Sequence, residues 1–317
     1  MNWSGRCFGT LVLLAFASQA ADTESSTAAA AMAQSNELKR VIAGDPGYAI
    51  YQRFREALRS ADPPDASTLD RLVAAQYATF KQEAAISCDA RSTASQVHLQ
   101  FMAAANAEGR APRSLYLDDM AECYGELEKR GIVLARESKH MYSAYVHQRE
   151  FDAARKFLST HAAFALTPLP PFANGPSAPA SVIRVIHKDR ITLHREPIDL
   201  LHGSQLVVIS SPSCHFTQDA IKAIEARPQL AAHLKGAVWL VPATELLDYD
   251  SIAEWNRVHP NAQMSVAYRE SEFDQLSMAD TPVFYFLREG KVVSKIVGWP
   301  PQDSTVASAL EQLEHMH

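Results

Sequence analysis

Much that would mark a biochemical class is scarce in this 317-residue chain. It has no excess of positive charge: 30 Lys and Arg stand against 36 Asp and Glu, for a formal net charge of −6. The cations are spread rather than clustered, which leaves no electrostatic footprint for nucleic acid as a partner. Metal-site spacing is missing too: there are 12 histidines, yet none form an H-x-x-x-H or H-E-x-x-H pattern, and His315/His317 is too little alone. No metal or other cofactor is implied. Long hydrophobic runs are absent; the stretch from Phe8 to Ala17 is too short for a permanent membrane span. Only four cysteines occur, Cys7, Cys88, Cys123 and Cys214, so each has to be explained singly.

The N-terminus has the layout of an export signal over residues 1–20. Arg6 supplies positive charge, Phe8 to Ala17 the apolar run, and Ser18-Gln19-Ala20 a small-residue cleavage site. Cys7 precedes the apolar run and leaves with it. The expected location is periplasmic, a compartment in which disulfides persist. Residues 21–35 are Ala/Ser/Thr-rich and aperiodic, a disordered leader.

Residues 36–167 change to helical patterning and read as an α-helical domain. Ile50, Phe54 and Leu58 form one stripe, broken by Asp62-Pro63-Pro64-Asp65; Leu69, Leu72, Val73, Tyr77 and Phe80 form the next. Further helices are predicted near Thr93 to Ala107, Ser114 to Arg130, Ser138 to His147 and Glu150 to His161. The segment Met141 to Leu158 resembles one tetratricopeptide-type hairpin, with Tyr145 set against Phe151, Ala154 and Phe157, but no fixed period repeats it. Cys88 and Cys123 in an exported helical domain are most simply a structural disulfide; the alternative is that one of them resolves Cys214. The Pro-rich stretch 168–180 reads as a semi-rigid linker.

The most informative stretch is Leu206 to Ile224, LVVISSPSCHFTQDAIKAI. Leu206 to Ile209 suit a strand covered on both faces, Ser211-Pro212-Ser213 stops it, and Phe216, Ala220, Ile221 and Ile224 then fall at helical spacing. Cys214 therefore sits where a strand feeds a helix. Free amide N–H groups and the positive end of the helix dipole favour a thiolate there.

At these residues the chain resembles the thioredoxin superfamily, in its secreted disulfide-exchange branch. Cys214-His215-Phe216-Thr217 occupies the place of the family's C-x-x-C motif, and Thr281-Pro282 that of its cis-proline step. Val283 to Trp299 matches the hairpin, and Ser304 to Leu313 the closing helix. The resemblance covers roughly the last two fifths of the chain and implies an α/β thioredoxin-like domain over 181–317. Around Glu245 to Asn261 the chain carries an insertion. Thr217 replaces the second cysteine and Ser213 the tryptophan often found before the first.

The resemblance implies that Cys214 attacks an oxidised sulfur of a protein partner in the cell envelope, that an external thiol resolves the mixed disulfide, and that the Thr281-Pro282 backbone receives an extended substrate. Thr217, one turn on, is placed to donate its hydroxyl to the thiolate, and a protonated His215 would reinforce this. The competing reading is a catalytically inactive binding or assembly module of the envelope, to which the lost cysteine and the insertion also point.

Overall fold

The computed structural model of the chain describes residues 40–61, 66–132, 135–228 and 236–299. The export signal, the leader, the Asp62-Pro63-Pro64-Asp65 break, the closing helix from Ser304 and the His315/His317 pair lie outside these residues.

Helices occupy the N-terminal half of the described chain, and a mixed sheet with helices the C-terminal half. In order the helices are α1 (Gly47–Arg59), α2 (Ala66–Ala84), α3 (Ala94–Arg110), α4 (Ser114–Lys129), α5 (Ala135–His147) and α6 (Phe151–Thr160). Their stripes explain them: Tyr51, Phe54 and Leu58 are the buried residues of α1, and Met120, Cys123 and Leu127 share the buried side of α4. A reciprocal cap starts α3, where Thr93 Oγ1 accepts from Gln96 N–H (3.3 Å) and Gln96 Oε1 from Thr93 N–H (2.9 Å). That helix is buried along most of its length and forms the axis of the bundle. Across it, Tyr77 donates to Asp119 (2.6 Å), Gln100 donates to Tyr77 (2.8 Å), and His98 pairs with Glu137 (2.8 Å). Cys88 and Cys123 are joined as a disulfide, Cα atoms 4.7 Å apart, tying the loop after α2 to α4.

The strands are β1 (Phe172–Ala173), β2 (Ser181–His187), β3 (Ile191–Pro197), β4 (Ser204–Ile209), β5 (Val238–Val241), β6 (Met264–Ala267), β7 (Val283–Arg288) and β8 (Lys291–Val297). They form one sheet in the order β1-β3-β2-β6-β5-β4-β7-β8. The centre is parallel, β6-β5-β4, while β7-β8 and β2-β3 are antiparallel hairpins on either side. Helices α7 (His215–Glu225) and α8 (Tyr249–Val258) join the parallel strands. The central strands are apolar on both faces, as strands covered on both sides must be: Val208 turns to the core shared with α7 and α8, Val207 and Ile209 to that formed with Leu200, Phe273 and Met278. The first of these cores runs on without interruption into the helical bundle.

Three expectations need correction. Residues 168–180 are not a free spacer. Tyr142 and Tyr249 hydroxyls donate to the carbonyls of Thr167 and Pro168 (2.8 Å each), and β1 pairs in parallel with Leu193 and His194 of β3. Composition reported only that this stretch cannot be helical; an extended Pro-rich chain can still add to a sheet edge. A Cβ at Gly175 would overlap the Arg195 carbonyl, so only glycine lets the backbone pass so close. Phe151 does not close on Tyr145 but meets Phe172 of that same segment, ring centroids 4.5 Å apart; Tyr145 meets Phe157 at 5.9 Å. The short helix read over Phe273 to Leu276 is a 3₁₀ turn over Glu270–Phe273.

The two halves are fastened by Arg149, in the turn between α5 and α6, whose φ of 64° lies in the left-handed region. Its buried guanidinium donates to the carbonyls of Tyr268, Ala267 (2.7 Å) and Ala243 (3.2 Å) in the α/β half, and to Val146 (2.9 Å) in its own. Replacing Arg149→Ala leaves three carbonyls of the α/β half without their donor, and chemical denaturation should show a loss of about 3 kcal/mol. Arg149→Lys should recover less than half of that, because a single ammonium cannot span the three acceptors.

Candidate functional site

Buried β4 delivers the chain to Ser210 and Ser211, both buried, and Pro212 turns it. Cys214 follows as the N-cap of α7, with extended backbone (φ −78°, ψ 118°). Its N–H donates to Ser211 O (3.2 Å), its carbonyl accepts the first helical bond from Gln218 N–H (3.1 Å), and Gln218 Nε2 braces the turn through Pro212 O (3.0 Å). The cysteine is free and half-buried.

The Thr281-Pro282 peptide is cis, and Cys214 Sγ lies 3.2 Å from the Thr281 carbonyl, to which the thiol donates. Thr217 is fully buried, and its Oγ1 has no other hydrogen-bond partner among the described residues, so its hydrogen is available to the sulfur. Burial by itself would raise the Cys214 pKa. The Thr281 side chain, the N–H and hydroxyl of Thr217 and the N–H of Phe216 outweigh it, and the thiol titrates below its ordinary range. The carbonyl of Thr281 favours the protonated thiol; its side chain and the helix-end donors favour the thiolate.

The predicted residues divide clearly. Cys214, Thr217, Thr281 and Pro282 come together. His215 does not join them: it is exposed and its ring lies on Phe216, centroids 3.9 Å apart. Phe216 leaves the apolar stripe to which its spacing assigned it and is 46% exposed beside the thiol; the buried side of α7 is Thr217, Ala220, Ile221 and Ile224. Its neighbour Thr217 takes the buried place in that turn, a choice that spacing alone does not make. Cys88 and Cys123 are occupied with each other, away from this site.

One site residue escaped the sequence reading. Glu245, in the 3₁₀ segment Ala243–Asp248 after β5, accepts from Ser211 Oγ (2.7 Å), and Ser211 Oγ lies 2.9 Å from Ser213 Oγ. Burial raises its carboxyl pKa, the Ser211 bond opposes this, and Asp248 adds to it. No local pattern marks a glutamate that reaches a turn distant in sequence. Among the described residues no group of three or more His, Cys, Asp and Glu is placed to hold a metal, and no helix is long and apolar enough to cross a membrane.

In the folded, unreduced protein, alkylation followed by peptide mapping should label Cys214 and leave Cys88 and Cys123 unlabelled. Its rate should rise with pH around a midpoint below the about 8.5 of a free cysteine. Thr217→Val should make that reaction about tenfold slower at pH 7, the size of one hydrogen bond to a charged acceptor. Comparison of the chain with protein-family models, with curated proteins and with solved structures finds no match.

Proposed function

We propose that the C-terminal half is a thioredoxin-like domain and that the protein is an exported monothiol thiol–disulfide exchange protein, acting on envelope proteins through Cys214. The observation that carries this reading is the free sulfur at the mouth of α7, its pKa lowered, 3.2 Å from the carbonyl of a cis Thr-Pro step. The succession β4-α7-β5, then Thr281-Pro282, then the β7-β8 hairpin supports it. So does the parallel-antiparallel order of β5-β4-β7-β8. Strand β6 follows the insertion and extends the parallel centre beside β5.

The chemistry follows from one thiol. Cys214 loses its proton to solvent, and the thiolate attacks one sulfur of a partner disulfide. A new S–S bond forms, the partner's other sulfur departs with the electron pair of the broken bond, and it takes up a proton. Thr217 offers a hydroxyl where a second sulfur would otherwise attack, and the disulfide of Cys88 and Cys123 holds the other cysteines back. The mixed disulfide therefore waits for an outside thiol, whose thiolate attacks it and forms a disulfide in turn.

Non-reducing electrophoresis after alkylation quenching should reveal mixed disulfides that vanish in Cys214→Ala. Thr217→Cys supplies an internal thiol one helical turn away and should cut their yield by about tenfold or more, since an intramolecular attack has an effective concentration in or above the millimolar range. A Cys214→Ala protein with undiminished biological activity and a wild type that traps nothing would replace this reading with the non-catalytic binding module.

A further inference from the structure

We propose that Glu245 is a positioning residue for Cys214: its carboxylate, presented from the loop after β5, orients the Ser211–Ser213 turn that carries the sulfur, and its charge state sets how readily that thiol reacts. The inference rests on the reading of Cys214 as a reactive thiol.

The hydrogen-bond directions are forced. A hydroxyl has one hydrogen, and Ser211 spends it on the Glu245 carboxylate at 2.7 Å. In the 2.9 Å contact between Ser211 and Ser213 the donor is then Ser213. While Glu245 is ionised, both hydroxyl hydrogens of the turn point away from Cys214 and toward the carboxylate. Once the carboxyl carries a proton it becomes the donor, Ser211 turns its hydrogen to Ser213, and the Ser213 hydroxyl is released beside the cysteine. Ser211 is 4% exposed and relays the change from inside the fold, while Ser213, at the surface, presents it beside the cysteine. The backbone completes the link, because Ser211 O receives the Cys214 N–H at 3.2 Å. The same residue thus ties the carboxylate to the nucleophile through its side chain and its main chain.

The surroundings of Glu245 favour its neutral form. It lines a cavity of about 230 Å³ between the halves, with Arg110 from the end of α3 and Glu270 on its walls. Asp248 faces it from its own segment, and Arg149 stands beyond Glu270, bonded to Ala243 O. Burial and the Asp248 carboxylate outweigh the Ser211 bond, so protonation begins above the ordinary carboxylate range.

The test is the rate of Cys214 alkylation by a neutral reagent, measured against pH on the full chain. Wild type should show two titrations, the lower one belonging to Glu245. Glu245→Gln keeps the side-chain shape, fixes the charge at zero and should leave one titration, with alkylation at neutral pH about threefold faster, the size of a weak hydrogen bond from the released Ser213 hydroxyl to the sulfur. Ser211→Ala keeps the carboxylate but cuts the tie and should likewise abolish the lower step. A wild-type profile that superimposes on that of either folded variant overturns the assignment of Glu245 while leaving the low midpoint of Cys214 intact. A wild-type midpoint at the free-cysteine value removes the underlying reading instead.

Discussion

A guanidinium sealed inside the protein holds the arrangement together. Arg149 is held down to about 10 from the usual arginine range by burial, with Tyr268 and Glu270 opposing that shift, so at neutral pH it is a full charge in a place without water. Taking such a charge out of solvent is costly, and here the carbonyls of Val146, Ala243, Ala267 and Tyr268 offset that cost. Two of them end β6 and one opens the loop after β5, where the backbone has run out of strand partners. The clamp therefore satisfies both sides at once: carbonyls that the sheet cannot pair and a cation that the helices alone cannot solvate. Tyr268 is further gripped by Arg195, whose guanidinium carbon lies 3.7 Å from the ring centroid.

The consequence reaches the thiol in short steps. Arg149 fixes Ala243, Ala243 begins the segment that holds Glu245, Glu245 holds Ser211, and Ser211 holds Cys214. Each hydrogen bond along this path has a buried or half-buried partner, so each is worth more than its counterpart in water. At the far end the sulfur faces opposed demands. The Thr281 carbonyl wants it protonated; the amides of the helix mouth and the Thr217 hydroxyl want it ionised. Were the Thr281 carbonyl engaged elsewhere, the contact that favours the proton would be lost.

What the sequence disclosed and what it hid follow one physical division. Periodicity reports burial within a single element, so Phe54 and Leu58 of the first stripe, the unbroken apolar run of β4 and the helix after Cys214 were legible, while Tyr51 rather than the expected Ile50 takes the buried place beside them. The Thr281-Pro282 step and the hairpin after it were legible by resemblance. Contacts between distant elements leave no local trace. Nothing in QRE reveals that Arg149 points into another domain, and nothing in ATELLD marks Glu245 out from its neighbours. Phe216 failed differently: its spacing fits a buried stripe, but its neighbour Thr217 takes the buried face of that turn and leaves Phe216 in solvent. The Pro-rich segment failed because composition excludes helix without saying what an extended chain will rest against.

That segment carries a consequence of its own. Gly175 passes directly under the Arg195 carbonyl while Phe172 is locked against Phe151, so the path between the halves is pinned at these two places. Pro176 to Pro179 run largely exposed beyond them, and an added residue would be absorbed there rather than in the docked stretch. A gene that exchanged either half for a foreign module would have to carry that docked seam along with it.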